Sequence, residues 1–196
     1  MALRPAVFLD KDGTVLRDDP YNVDPERMAY APQAFAGLAR FGAAGLPLVV
    51  ISNQSGVAKG MFPALALEPV HLKLASMFRA AGAHLEGFYW CPHHPDGVVE
   101  GYAVECDCRK PRPGLLLRAA SELALDLEAS WLIGDILDDV EAGNRAGCRS
   151  ILLDVGHETE WLEGPGRVPY GRAPDLDAAA RIVLAAQAPS GARGGA

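Results

Sequence analysis

Residues 6–15 read Ala6-Val7-Phe8-Leu9-Asp10-Lys11-Asp12-Gly13-Thr14-Val15. The apolar run Val7-Phe8-Leu9 is continuous and short, which suits a strand covered on both faces in a parallel sheet. Asp10 then falls at the C-terminal end of that strand, where open α/β sheets hold their ligands. Two carboxylates one residue apart in such a place are costly unless a cation or a proton relieves them. Hard divalent ions such as Mg²⁺ take carboxylate, carbonyl and water oxygens, with one or two protein carboxylates as a rule. The bland alternative is a solvated Asp-x-Asp-Gly turn. The apolar strand ahead of it and the groups described below weigh against that reading.

Outward from this strand, strands and helices alternate. A loop rich in Asp and Pro over residues 17–32 leads to a helix over 33–44, and 46–51 form a second apolar strand. Residues 63–81 have helical periodicity, with Leu67, Val70, Leu74 and Phe78 spaced for one apolar face. Residues 88–90 read as a strand, and 91–113 as a long irregular insertion. Then come a helix over 115–125, a strand over 131–133, a helix over 138–146, a strand over 150–153 and a helix over 175–186. This order predicts a doubly wound α/β fold with a mainly parallel sheet and right-handed crossovers.

The chain has 196 residues, 49% of them hydrophobic, enough to bury one core. One domain over residues 1–187 is expected, followed by a flexible tail of small residues over 188–196. A net charge of −7 argues against a nucleic-acid surface. No run approaches the roughly 18 apolar residues of a membrane span, and no signal-peptide pattern opens the chain. A cytoplasmic, monomeric protein is expected. Its four cysteines are too few for a disulfide scaffold of this size, and three of them suit metal ligation better.

Each strand end offers polar groups: Asp10 and Asp12 from the first, Ser52 and Asn53 from the second, and Gly134-Asp135 with Asp138 and Asp139 from the fourth. Arg109-Lys110-Pro111 precedes a helix. Gathered on one sheet edge, these supply a nucleophile, an acid/base, a hydroxyl, cations and a further metal carboxylate. That inventory fits phosphoryl transfer, where catalysis is mostly positioning and charge neutralisation. A second group, Cys91-Pro-His93-His94 and Cys106-Asp-Cys108, offers C-x-H and C-x-C pairs that can close a tetrahedral S₃N shell on Zn²⁺. A loop this long without secondary structure needs a staple. Unligated thiols beside a hydrogen-bonded histidine are the alternative. Cys148, before an apolar strand, reads as a packing residue.

The segments DKDGTV (10–15), SNQSG (52–56), RKPRPG (109–114) and GDILDD (134–139) resemble, in order, the four signatures of the haloacid dehalogenase-like (HAD) phosphohydrolases. The resemblance implies that Asp10 is the nucleophile and Asp12 the general acid and then base. Ser52 and Lys110 would bind the phosphoryl oxygens. The Mg²⁺ site would comprise Asp10, the main-chain carbonyl of Asp12, and Asp135. Asp139 would play a supporting role, although either it or Asp138 could simply face the positive end of a helix dipole.

The stretches CPHHP (91–95) and CDCRKPRPG (106–114) are similar to the D-glycero-D-manno-heptose-1,7-bisphosphate 7-phosphatase family, which is close to the histidinol-phosphate phosphatase domains. This implies a capless enzyme with structural zinc on Cys91, His93, Cys106 and Cys108, acting on a small sugar phosphate. It also implies substrate contacts from Asp19, Tyr21 and Asn22 on one side, and from Asn53, Gln54, Ser55 and Arg109 on the other. A histidinol-phosphate phosphatase is the nearest rival. A non-catalytic zinc-stapled binding module is the rival from another class. Relatives often carry Lys after the metal Asp, where this chain has Ile136.

Overall fold

Side chains alternate across a strand, so a fully buried strand must satisfy two separate helical layers at once. In the computed structural model, which describes residues 3–187, that requirement is met at the centre of a six-stranded sheet. Its strands are β1 (Val7–Leu9), β2 (Leu48–Asn53), β3 (Leu85–Cys91), β4 (Trp131–Gly134), β5 (Arg149–Leu153) and β6 (Gly171–Ala173). They lie in the order β3-β2-β1-β4-β5-β6, with every pairing parallel.

Val7, Leu9, Leu48, Val50, Ile133 and Ile151 face one layer, made by α1 (Ala34–Ala43), α2 (Leu67–Ala80) and α5 (Leu176–Gln187). Phe8, Val49, Ile51 and Leu132 face the other, made by α3 (Gly114–Leu123) and α4 (Leu137–Ala146). The doubly wound α/β class expected from the sequence is therefore the class observed. The four positions expected to form the apolar face of α2, Leu67, Val70, Leu74 and Phe78, are all buried.

Three elements depart from the sequence reading. The helix expected from residue 63 starts at Leu67, behind a 3-10 turn over Ala64–Ala66. β3 starts at Leu85 instead of Phe88, because Leu85 pairs with Leu48 and Gly87 with Val49, the register shifting past the unpaired Glu86 between them. β6 was not expected at all. Its three residues, Gly-Arg-Ala, carry no apolar run, and it exists through its register with Ile151–Leu153 of β5. Residues 92–113 contain only turns and bends, as expected for the insertion. The tail over 188–196 lies outside the described residues. Among the described residues no helix is long and apolar enough to cross a membrane.

Candidate active site

The reversal of strand order falls beside β1, and this gathers the site. β1 is flanked by β2 and β4, with Leu9 opposite both Val50 and Ile133, so the residues that follow these strands converge on one edge. Asp10 is anchored there by its own N–H, which donates to Ile133 O at 3.0 Å. The chain then turns sharply through Gly13 at φ +79°. A Cβ at that position would run into Asp135 Oδ2 and His157 Nδ1. Only glycine allows so close an approach at that φ.

Lys110 is the electrostatic hub. Its Nζ is paired with Asp10 Oδ1, lies 2.6 Å from Asp139 Oδ1, and donates to Ile51 O at 3.2 Å. Burial alone would lower its pKa, but the Asp10 and Asp139 carboxylates outweigh it and hold the ammonium above the ordinary lysine range. Asn53 fixes the backbone of the same residue, accepting from Lys110 N at 3.0 Å and donating to Lys110 O at 3.2 Å.

Burial pushes Asp10 up to about 7, with Lys110 opposing the rise and Asp139 and Asp12 adding to it. Burial pushes Asp135 further, to about 9, helped by the charges of Asp10 and Asp139. Oxygens of Asp10, Asp135 and Asp139 lie within 4.8 Å of one another. Asp139 is already engaged: besides Lys110, its Oδ2 accepts from Asp135 N at 3.2 Å and from Ile136 N at 3.3 Å. Asp10 and Asp135, unlike Asp139, line the cleft as two crowded carboxylates, a donor set that fits a hard dication such as Mg²⁺. Asp138 instead turns away to Arg167, at 3.0 Å.

Around this centre the expected residues divide. Ser52 is buried, and its Oγ accepts from Gln54 Nε2 at 2.7 Å. The same amide lies 3.4 Å from Asp12 Oδ2. A cleft of about 240 Å³ is lined by Asp10, Asp12, Asp18, Asn53, Lys110, Asp135, Ile136 and His157. Asp18 reaches it, whereas Asp19 pairs with Arg27 at 2.7 Å. Asn22 Oδ1 accepts from Asp24 N at 2.9 Å, shaping the loop from within. Tyr21, with φ +61°, is turned toward the β2 side, where its hydroxyl accepts from Lys59 Nζ at 2.8 Å. The Ser55 carbonyl accepts from Lys59 N at 3.0 Å. Arg109 lies against the cysteine loop, its guanidinium 3.5 Å from His93 O.

Donor atoms of Cys91, His93, Cys106 and Cys108 lie within 4.8 Å of one another, with His93 Nδ1 3.2 Å from Cys108 Sγ. Three sulfurs and one imidazole nitrogen so close together fit Zn²⁺, the commonest S₃N cation. His94 stands outside the cluster, its Nδ1 accepting from Asp96 N at 3.1 Å. Ala58 ties this loop to the turn after β2: its N–H donates to Pro92 O, and its carbonyl accepts from Val98 N and Val99 N.

Three groups escaped the sequence reading. Lys11, only 2% exposed, places Nζ 2.8 Å from Asp12 Oδ1; its position between two aspartates was the available signal. Asp18 carries no signal that separates it from Asp19. His157 sits in a polar loop with no pattern around it, yet its Nδ1 is 2.6 Å from Asp135 Oδ2.

Comparison with known proteins agrees with this geometry. The HAD-hydrolase-like family model matches residues 107–179. The D-glycero-beta-D-manno-heptose-1,7-bisphosphate 7-phosphatase of Photorhabdus laumondii is 40% identical over 146 residues, covering 72% of this chain and 76% of that protein. The enzyme of the same name from Escherichia coli K12 is 38% identical over 149 residues, covering 76% and 78%. A putative HAD-like phosphatase from Mesorhizobium loti superposes with a TM-score of 0.78 at 35% identity, covering 93% of this chain and 88% of that one. The D,D-heptose 1,7-bisphosphate phosphatase of B. bronchiseptica, solved with magnesium and phosphate, superposes with a TM-score of 0.74 at 30% identity, covering 93% and 99%. With the Asp10-Lys11-Asp12-Gly13 turn, the buried lysine and the cysteine loop in one frame, the chain belongs to the HAD phosphatases, phosphoric monoester hydrolases, in the family of the heptose-1,7-bisphosphate 7-phosphatases.

Proposed function

We propose that this protein removes the 7-phosphate of D-glycero-D-manno-heptose 1,7-bisphosphate, with the β-anomer preferred, through an aspartyl-phosphate on Asp10. The observation that carries this reading is the placement of the Asp10 carboxylate against Lys110 Nζ and beside Asp135, at the floor of the cleft. The substrate and its anomer follow from the relatives, which are heptose bisphosphate phosphatases named for the β-anomer.

A carboxylate attacks a dianionic phosphate only when the mutual repulsion is cancelled. Bound to Asp10, Asp135 and the Asp12 carbonyl, Mg²⁺ would supply that charge neutralisation. Lys110 and the Ser52 hydroxyl bind the phosphoryl oxygens. Asp10 Oδ forms the new bond to phosphorus while the bond from phosphorus to the sugar oxygen breaks, and Asp12 gives the leaving alkoxide its proton. Asp12 then takes a proton from water, whose oxygen bonds to phosphorus as the bond from phosphorus to Asp10 Oδ breaks, releasing inorganic phosphate and the free Asp10 carboxylate. Asn53 and Gln54 hold Lys110 and Ser52 in place. Arg109, Asp19, Tyr21, Asn22 and Ser55 lie outside the lining of the cleft; in this reading they contact the part of the substrate that extends beyond it, a guanidinium suiting the second phosphate through its fork of donors.

In this reading the cysteine loop carries a structural Zn²⁺, since all four positions are filled by the chain. Residues 1–187 act as a single, monomeric, cytoplasmic domain in this reading, whose four cysteines form no disulfide. The test is phosphate release, with Mg²⁺, from both anomers of the heptose bisphosphate and from histidinol phosphate. A clear kcat/KM advantage for the β-anomer is expected. A preference for histidinol phosphate would overturn the substrate assignment and keep the chemistry.

A further inference from the structure

We propose that His157 and Glu158 form a strap that positions the carboxylate of Asp135 for its cation, an inference that rests on Asp135 being a Mg²⁺ ligand. The strap belongs to the connection between β5 and β6, far in sequence from every motif of the site. His157 Nδ1 meets Asp135 Oδ2 at 2.6 Å, while Thr14 Oγ1 lies 3.5 Å from the other oxygen. Glu158 Oε2 accepts from Leu137 N at 2.7 Å, at the first turn of α4. Its Oε1 accepts from Glu160 N and Trp161 N at 2.9 and 3.3 Å, which stiffens the strap's own turn. Two consecutive side chains therefore grip the two ends of one short segment, Asp135 to Leu137.

The grip answers a local deficit. Between its two ends stands Ile136, whose side chain has no polar atom to orient a neighbouring carboxylate. Ile136 also cannot cap α4, and the orphan N–H groups of that helix are met by Asp139 from within and Glu158 from outside. His157 packs over the Gly13 turn, so its ring is confined between the nucleophile loop and Asp135. The carboxylate that would hold the cation is thereby restricted in rotation. Groups that orient a metal-binding carboxylate in this way typically change metal affinity 10–100-fold when removed.

The role is positioning and leaves the imidazole out of the coordination shell. Asp10, Asp135 and Asp139 form a mutually close donor group, and His157 stands outside it. The experiment is titration of MgCl₂ and, separately, MnCl₂ into the wild type, His157→Ala, His157→Asn and Asp135→Ala, read by calorimetry and by the signal of free Mn²⁺. His157→Ala is expected to weaken both ions by a similar factor, about 10-fold or more. The Asn amide, which can donate from nearly the same place, should recover most of the loss.

Unchanged affinity for both ions in His157→Ala would overturn the proposal. So would a loss confined to Mn²⁺, because that marks a nitrogen ligand, which the softer ion values more. If Asp135→Ala binds Mg²⁺ as tightly as the wild type, the underlying assignment of Asp135 fails instead. Should His157→Ala not fold, the comparison of His157→Asn with His157→Leu at matched melting temperature decides the same question.

Discussion

Lys110 Nζ lies 2.6 Å from Asp139 Oδ1, and the same ammonium is paired with Asp10, so one cation spans the proposed nucleophile and the residue at the start of α4. Asp139 is thus the handle by which the start of α4 aims Lys110. Replacing Lys110 with Met should lower kcat by about 10²–10³, the loss seen when one preorganised charge-stabilising donor is removed. Asp139→Asn should give a smaller loss, because the amide still occupies the site while the ammonium loses half its anchoring. Steady-state kinetics on the two variants check this order, and equal activity in Lys110→Met and wild type would remove Lys110 from the reaction.

The two aspartates of the first motif should separate by phenotype. Asp10→Asn removes the attacking oxygen's charge and is expected to abolish turnover. Asp12→Asn should also abolish turnover while retaining Mg²⁺-dependent phosphate binding, measured by calorimetry. Turnover retained in Asp12→Asn would mean that the proton comes from elsewhere.

Stability should depend on pH in a direction set by the raised carboxyls. Asp10 stands at about 7 and Asp135 at about 9 in the folded protein, against an ordinary 3.8. Carboxyls raised in this way favour folding fully below about pH 4 and lose that contribution as the pH climbs through 7 and 9. Without divalent cations, the melting temperature contribution of this pair should fall between about pH 5 and 9. Added Mg²⁺ should restore several degrees at the alkaline end and much less at the acid end. Thermal melts with and without Mg²⁺ at the two pH values test it, and an equal Mg²⁺ shift at both would contradict the assignment.

Cys106→Ser and Cys108→Ser should each release zinc and lower the melting temperature, since binding energy at a closed site is folding energy. Loss of order there should also reach the turn after β2 through Ala58, whose hydrogen bonds join the two. Metal analysis paired with calorimetry measures both effects, and unchanged zinc content and melting temperature would dismiss the structural role.

Much of the fold was legible because apolar strands announce themselves where both faces are buried, as at Val7–Leu9 and Trp131–Gly134. β6 was not, since Gly171, Arg172 and Ala173 become a strand only by pairing with β5. The centre of the site was legible for a related reason: Asp10, Ser52, Lys110 and Asp135 lie at or beside strand ends or in short ordered motifs. The rim was harder to read. Whether Asp18 or Asp19 reaches the cleft depends on the course of a loop in which Tyr21 adopts a left-handed backbone, and no periodicity encodes that. His157 depends on a contact spanning 22 residues between two loops, which local pattern cannot show.

The sheet order has a last consequence. Asp10, Ser52 and Asp135 hang from β1, β2 and β4, strands with neighbours on both sides, so their backbone amides should be among the slowest to exchange with solvent. The cysteine loop leaves from edge strand β3, and the strap around His157 lies in the long connection from β5 to edge strand β6. The proposed chemistry therefore falls on the part of the molecule expected to open last, while the cysteine loop and the strap hang on connections to the sheet's edges, expected to open earlier. Substitutions on the exposed part of the cysteine loop can retune which molecule is accepted while leaving the core in place, whereas His157, held against Asp135, ties its own margin to that core.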